Sequence, residues 1–179
     1  MRTMRTLFLE HTLRRRIEAL SLLLAECLRR HATTISLSML AVLLFQTQLV
    51  IAVNTTGSLP QTLFLIHKGE RPVRGQYVAF RWLGGGPYPA GVTFVKRIAG
   101  AAGDTVSRIE REFQVNGLPV GTAKTVSREG LPLALGPTGV LPPGRYYVQA
   151  PHLDSLDSRY ALTGWVAEDQ IIGRAYALF

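Results

Sequence analysis

Two residues about forty positions apart, Ser58 and Lys96, are the pair in this chain best suited to covalent chemistry. Ser58 lies in Val53-Asn54-Thr55-Thr56-Gly57-Ser58-Leu59-Pro60-Gln61-Thr62, where a charge-free apolar run gives way to the polar remainder of the protein. A serine hydroxyl is a weak nucleophile and needs a base within hydrogen-bond reach. The chain has four histidines. His11 and His31 precede the apolar run, and His67 sits beside Lys68 in a turn-like stretch. His152 is close to Asp154 and Ser155, but triad members normally converge from separate elements rather than from neighbouring positions. A lysine can replace histidine when burial lowers its pKa from about 10.4 toward neutrality. Lys96 is embedded in Val92-Thr93-Phe94-Val95-Lys96-Arg97-Ile98, where alternation places Phe94, Lys96 and Ile98 on one face. A strand lysine is by itself more often a solvated residue, so its surroundings decide.

The elements that must position this pair are short strands. Phe64–Ile66, Tyr77–Trp82, Val92–Ile98, Thr105–Val106, Phe113–Val115, Arg145–Val148 and Ile171–Tyr176 are rich in β-branched and aromatic residues. Turn signals separate them: Arg74-Gly75, Gly84-Gly85-Gly86-Pro87, Gly103-Asp104, Asn116-Gly117 and Pro142-Pro143-Gly144. Asn116-Gly117 between apolar residues predicts a tight hairpin. No long amphipathic helical pattern follows residue 54, so residues 54–179 are expected to form a mostly antiparallel β domain. The triple glycine at 84–86 lacks the following helix and Lys-Ser/Thr of a phosphate cradle, and reads as a loop.

The formal charge of +8 is unevenly placed. Residues 1–31 hold seven arginines against three glutamates, a net of +4; residues 54–179 hold thirteen Lys+Arg against nine Asp+Glu, also +4 over four times the length. This distribution fits a membrane-orienting segment better than a nucleic-acid surface, and no nucleic-acid partner is expected. In residues 1–31, arginines (Arg2, Arg5, Arg14–Arg16, Arg29, Arg30) alternate with Leu13, Ile17, Leu20, Leu24 and Leu28 at helical spacing, predicting a basic amphipathic cytoplasmic helix, read as lying along anionic lipid in preference to binding a partner. Residues 32–66 carry no charge. The most apolar part, Ile35–Val53, is long enough to cross a hydrocarbon core of about 30 Å, so residues 32–53 are expected to be a transmembrane anchor. It is too long, and its basic lead too extended, for a cleaved signal. Arginines before it predict an N-terminus in the cytoplasm and a periplasmic domain over 54–179 at a bacterial inner membrane. The single cysteine, Cys27, excludes an internal disulfide and any CxxC-type metal site, and no metal or cofactor is expected.

The boxes around these residues occur in an order that resembles the type I signal peptidase superfamily. Thr55-Thr56-Gly57-Ser58-Leu59-Pro60 resembles its nucleophile box, and the Gly-Ser-Leu-Pro form is most similar to the TraF-type peptidases of conjugative plasmids. Arg74–Phe80 resembles the next strand box, with Gln76 where the family usually has aspartate. Val95-Lys96-Arg97-Ile98-Ala99-Gly100 resembles the lysine box, and Val115-Asn116-Gly117 the hairpin after it. Pro143–Val148 followed by Asp154–Tyr160 resembles the final box. The resemblance implies a signal-peptidase/LexA-like antiparallel β fold in which Ser58 is the nucleophile and Lys96 its general base. It further implies an oxyanion hole from the Ser58 backbone N–H and the Thr56 hydroxyl, and a Ser155 hydroxyl that orients the lysine amine. Asp157 and Arg159, in the segment Asp157-Ser158-Arg159, would form an ion pair bracing the site. The chain departs from the family pattern at Ala150-Pro151-His152, where glycine-aspartate-asparagine is usual, and in the delay of a glycine to Gly164.

By this resemblance the chain is expected to be a membrane serine endopeptidase that cuts, and by analogy with some relatives cyclises, a pilin or other exported precursor with small residues beside the cut. Membrane-associated precursor, lipid bilayer and other components of a conjugation or secretion machine are the expected partners. A general type I signal peptidase and a catalytically silent assembly subunit are the alternatives. Self-cleaving repressors of the LexA type share the β fold but would need an N-terminal DNA-binding domain, where this chain has its arginine-rich and apolar segments. Apolar loops at Leu131–Leu135 and Val140–Pro143 are read equally as lipid- or substrate-facing and as core.

Overall fold

The computed structural model describes residues 4–179, with side chains from Leu13 onward; the readings placed on Arg2, Arg5 and the His11 side chain lie outside that range. Two compact units follow from the contacts, residues 1–46 and residues 47–179. Residues 4–46 of the first belong to one helix, α1, Met4–Gln48. From residue 13 to Thr47 its side chains are exposed, leucines and arginines alike.

The membrane anchor expected over residues 32–53 is not found as such. The helix ends at Gln48, and Leu49–Val53 form a strand, β1. Only Ile35–Gln48 of the apolar run is helical, which at 1.5 Å per residue extends about 21 Å against a core of about 30 Å. Among the described residues no helix is long and apolar enough to cross a membrane. The local reason lies in the sequence: Gln46-Thr47-Gln48 interrupts the apolar run, and Leu49-Val50-Ile51-Ala52-Val53 is a β-favouring pentapeptide with a pairing partner in the sheet.

The second unit is mostly antiparallel β, as expected. Its strands are β1, β2 (Leu63–Lys68), β3 (Tyr77–Arg81), β4 (Thr93–Gly100), β5 (Thr105–Ile109), β6 (Glu112–Val115), β7 (Leu118–Thr122), β8 (Gly139–Val140), β9 (Arg145–Gln149), β10 (Val166–Ala167) and β11 (Ile171–Ala177). Seven of them form one sheet in the order β1-β2-β11-β3-β4-β9-β10, and four form a second in the order β7-β6-β5-β8. Every expected strand is present. β1, β7, β8 and β10 are additional, two of them only two residues long. Asn116-Gly117 makes the two-residue turn between β6 and β7, with φ of 52° and 76°. A second such turn, Glu110-Arg111, joins β5 to β6 without glycine, and Glu110 adopts φ 51°.

Three apolar clusters hold the sheets. Phe80, Trp82, Phe94, Ile98 and Val148 centre one; Val106, Phe113, Leu141, Tyr147 and Tyr160 centre the second; Leu59, Phe64, Ile66 and Ala175 centre the third. The loop segments mentioned above divide by residue: Leu141 is buried in the second cluster, whereas Leu131 and Val140 are exposed. Strand β4 alternates strictly, burying Phe94, Lys96, Ile98 and Gly100. That alternation turns Lys96 to the buried face of an interior strand, where it pairs with the equally buried Val78 of β3.

Candidate active site

The loop between β1 and β2 carries Ser58. Its ends are closed by the Asn54 N–H donating to Thr62 O at 2.8 Å, and the buried Leu59 pins its middle into the third apolar cluster. Gly57 has φ 62°, a left-handed conformation that a side chain disfavours even though space around it is open. This reversal between Thr56 and Ser58 turns the serine inward, and Ser58 is 5% exposed.

Across from it, the Lys96 Nζ donates to Ser58 Oγ at 2.9 Å, and Lys96 is likewise 5% exposed. The amine lies 5.7 Å from the centre of the Phe94 ring. That ring is stacked on Trp82 at 4.9 Å and met edge-on by Tyr88 at 5.2 Å, so one side of the amine is walled by aromatic surface. Burial pulls the Lys96 amine down to about 8; the carboxylate of Asp157 opposes this and the Arg159 guanidinium adds to it. An amine in that range is neutral in a useful fraction near pH 8 and can accept a hydroxyl proton.

Thr56 Oγ1 is 3.2 Å from Ser58 Oγ and 3.1 Å from Asn54 Oδ1. Ser155 lines the same cavity and is buried, but its hydroxyl has no hydrogen-bond partner and does not reach Lys96. The expected bond from Ser155 to the lysine is therefore absent from this structure. The segment is held by its backbone, Ser155 N–H to His152 O at 3.1 Å, and the lysine's bond goes to Ser58 instead.

Asp157, Ser158 and Arg159 stand behind the cavity rather than in it, all fully buried. Arg159 Nε and Nη2 bond Asp157 Oδ1 and Oδ2, each at 2.8 Å, and Nη1 donates to Thr122 O at 3.0 Å. Asp157 also accepts the Ala150 N–H, and Ser158 Oγ accepts the Val148 N–H at 3.0 Å. The expected ion pair is present and ties β7, β9 and the 150–159 turn together. Gly136 packs against this turn so closely that a Cβ there would meet Ser158 O at 2.2 Å. Gln76, in the place where the resembling family has aspartate, uses its side-chain oxygen to accept the Val73 N–H at 3.0 Å.

A cavity of about 480 Å³ opens over Ser58 and Lys96. Ala52, Val53, Tyr88, Val95, Leu133 and Leu162 supply much of its apolar wall. Its rim is charged: Asp154 receives Lys124 Nζ at 2.5 Å and Arg128 Nε at 2.8 Å, and these bonds hold its carboxyl down at about 2. The rim segment is a short hairpin, bridged at Val126 and Pro132, and Arg111 braces it by donating to Ala123 O at 2.8 Å and Leu133 O at 3.2 Å.

Neither histidine of the second unit bonds Ser58, although His152 lines the cavity and His67 does not. His67 Nδ1 lies 2.8 Å from Glu70, and His152 Nδ1 accepts the Asp154 N–H. Sequence reasoning missed Asn54, whose side chain organises the serine loop, and the Lys124–Arg128–Asp154 rim. An asparagine directly before two threonines and a glycine is a turn-forming signal for the first. Nothing local marks the second, because Lys124 and Asp154 are thirty residues apart.

Residues 24–179 match the family described as "Signal peptidase, peptidase S26". Over 97 residues the chain is 34% identical to "Signal peptidase I T" of Bacillus subtilis (strain 168), which covers 49% of either protein. The chain thus spans about half the length of that curated relative. A crystal structure of a signal peptidase I from Enterococcus faecalis V583 aligns with 62% of this chain and 98% of its own, at 23% identity and a TM-score of 0.39.

Proposed function

The chain belongs to the signal peptidase family, peptidase S26, and on that premise we propose that it is a serine endopeptidase in which Ser58 attacks a peptide carbonyl and Lys96 takes its proton. The single observation that carries this reading is the buried Lys96 Nζ bonded to Ser58 Oγ at 2.9 Å at the foot of an apolar cavity. Neutral Lys96 accepts the hydroxyl hydrogen as the serine oxygen adds to the carbonyl carbon; the resulting ammonium returns that proton to the departing amine. Water then enters by the same route and releases the acyl group from Ser58. Thr56 and the Ser58 N–H stabilise the negative oxygen formed at each addition. Ser155 is assigned to the amine once substrate fills the cavity, since bonds of this kind tighten in the bound complex. Asp157, Ser158 and Arg159 keep the wall behind Lys96 in place.

The proposed substrates are exported precursors with small residues before the scissile bond. Two finer readings divide them. The Gly57-Ser58-Leu59-Pro60 form favours a conjugative pilin, cut and in some relatives closed into a ring; the named relative, a signal peptidase I, favours removal of ordinary signal peptides. A bacterial inner-membrane location with the β unit in the periplasm is part of the proposal, motivated by the N-terminal arginines and by the exposed apolar residues of α1. Fractionation with protease protection tests it, and protection of the β unit inside intact spheroplasts would reverse the topology.

Co-expression with a candidate precursor, followed by mass measurement, tests the chemistry. Ser58→Ala and Lys96→Ala are each expected to lower cleavage by about 10⁴-fold or more without loss of fold. Retained cleavage in either variant removes the pair from the mechanism. A product lighter than the cut chain by one water identifies a ring.

A further inference from the structure

Of the groups around Ser58, Asn54 has no role in the mechanism above, yet it makes more bonds within the loop than any other side chain there. Its Nδ2 donates to Leu59 O at 2.9 Å and Gln61 O at 3.0 Å. Carbonyl oxygens only accept, so the amide is oriented without ambiguity, and Oδ1 must face the other way. There it meets the Thr56 N–H at 3.3 Å and Thr56 Oγ1 at 3.1 Å.

We propose that Asn54 is a positioning residue that acts through Thr56, its amide setting the direction of the hydroxyl chain Lys96–Ser58–Thr56. This rests on the Ser/Lys reading given above. Thr56 has one hydroxyl hydrogen and two oxygens within reach, Asn54 Oδ1 and Ser58 Oγ. The amide oxygen cannot donate, so the Thr56 hydrogen is drawn to it, and Thr56 Oγ1 turns a lone pair toward Ser58. With Lys96 as ammonium, the bonds then run one way: Nζ–H to Ser58 Oγ, Ser58 O–H to Thr56 Oγ1, Thr56 O–H to Asn54 Oδ1. Each bond polarises the next. When Lys96 is neutral, the Ser58 hydrogen swings to Nζ, which is the orientation attack requires.

The same geometry lets Thr56 go. An O–H⋯O bond is usually 2.5–3.0 Å, and the 3.1 Å contact is long. When Thr56 donates instead to the oxygen of the adduct, Asn54 Oδ1 keeps the Thr56 backbone N–H as a donor. Asn54 therefore holds the threonine at the rim of the reaction centre without being left unpartnered when the hydroxyl leaves.

The test is a double-substitution cycle using an internally quenched peptide with alanine before the scissile bond, with melting temperature measured on every variant. Asn54→Ala is expected to lower kcat roughly thirty-fold with KM within about twofold. In a Thr56→Val background the same substitution should cost less than about threefold, because the group it acts through is gone. Equal losses in both backgrounds, a rise in KM matching the fall in kcat/KM, or an Asn54→Ala protein that does not fold would each overturn the proposal in favour of simple loop scaffolding. Thr56→Ser, which keeps the hydroxyl, should retain the full Asn54 effect. Ser58→Ala and Lys96→Ala are run beside these: if either cleaves, or if the native protein cleaves neither this peptide nor co-expressed precursors, the Ser/Lys reading falls. If those controls behave and the cycle is additive, only the role of Asn54 falls.

Discussion

Lys96 and Arg159 are both cations buried in the β unit, 5% and 1% exposed, and the protein treats them in opposite ways. Arg159 receives a two-pronged carboxylate from Asp157 and carbonyl oxygens from Thr122, His152 and Ala150. Lys96 has a serine hydroxyl and the face of a phenyl ring. A buried charge without a paired, hydrogen-bonded counter-charge is costly, and the cheaper course is to lose it. Where a fixed scaffold is wanted, a carboxylate is supplied. Where a proton has to leave, the carboxylate is kept one shell away, since Asp157 acts on Lys96 only through space and through its pairing with Arg159.

Removing one partner of the saturated pair should have the largest effect on folding. Arg159→Met strands Asp157 in the interior and is expected to destabilise the unit by about 3–5 kcal/mol, read from chemical denaturation. Replacing both residues with apolar ones of similar volume should recover most of that loss, because the desolvation cost of two charges disappears together. If the single substitution costs less than about 1 kcal/mol, in the range of exposed pairs, the contrast with Lys96 is not one of saturation.

Thr56→Val probes the unsaturated side and should give the reverse signature. Thr56 is exposed, so stability should hold. Turnover should fall by about 10²-fold or more, the usual loss when one donor to a developing oxyanion is removed. A drop in melting temperature with unchanged kcat would place Thr56 with the scaffold and blur the distinction.

How much of this contrast was legible beforehand differs by residue. Lys96 was, because β4 alternates without exception and the period alone sends Phe94, Lys96 and Ile98 to one face. The Asn116-Gly117 turn was, since both positions need positive φ and the two residues favour it. β3 was found, but its three consecutive buried residues, Val78, Ala79 and Phe80, break the alternation because neighbours cover both its faces. β1 is not legible locally, because a run of Leu, Val, Ile and Ala satisfies both an apolar helix and a strand, and only the pairing of Leu49–Val53 with Leu63–His67 decides. The Glu110-Arg111 turn lacks the glycine that would have announced it. At the site, the charged rim depends on contacts between Lys124, Arg128 and Asp154 that no local pattern encodes. The orphan hydroxyl of Ser155 is equally a property of packing.

The smallest effect is also the most diagnostic of an amine held without a counter-charge. The folded Lys96 titrates at about 8 against an ordinary value of 10.5. Between those values the unfolded chain binds the extra proton, so stability should rise as pH increases from about 8 toward 10.5. Below about pH 8 both states are protonated and the folded state carries the full penalty of the buried ammonium. A pKa unit corresponds to about 1.4 kcal/mol, which puts this penalty near 3 kcal/mol. Lys96→Met removes the charge, keeps most of the volume, and gives up one hydrogen bond worth about 1 kcal/mol, so it should stabilise the protein at pH 7 by about 2 kcal/mol while abolishing cleavage. The native protein's kcat/KM should fall on the acidic side through the same pKa, as the base becomes protonated. A Lys96→Met variant less stable than the native protein at pH 7 would mean that the amine is better compensated than its single hydroxyl partner provides, and the acidic limb should then lie well above pH 8.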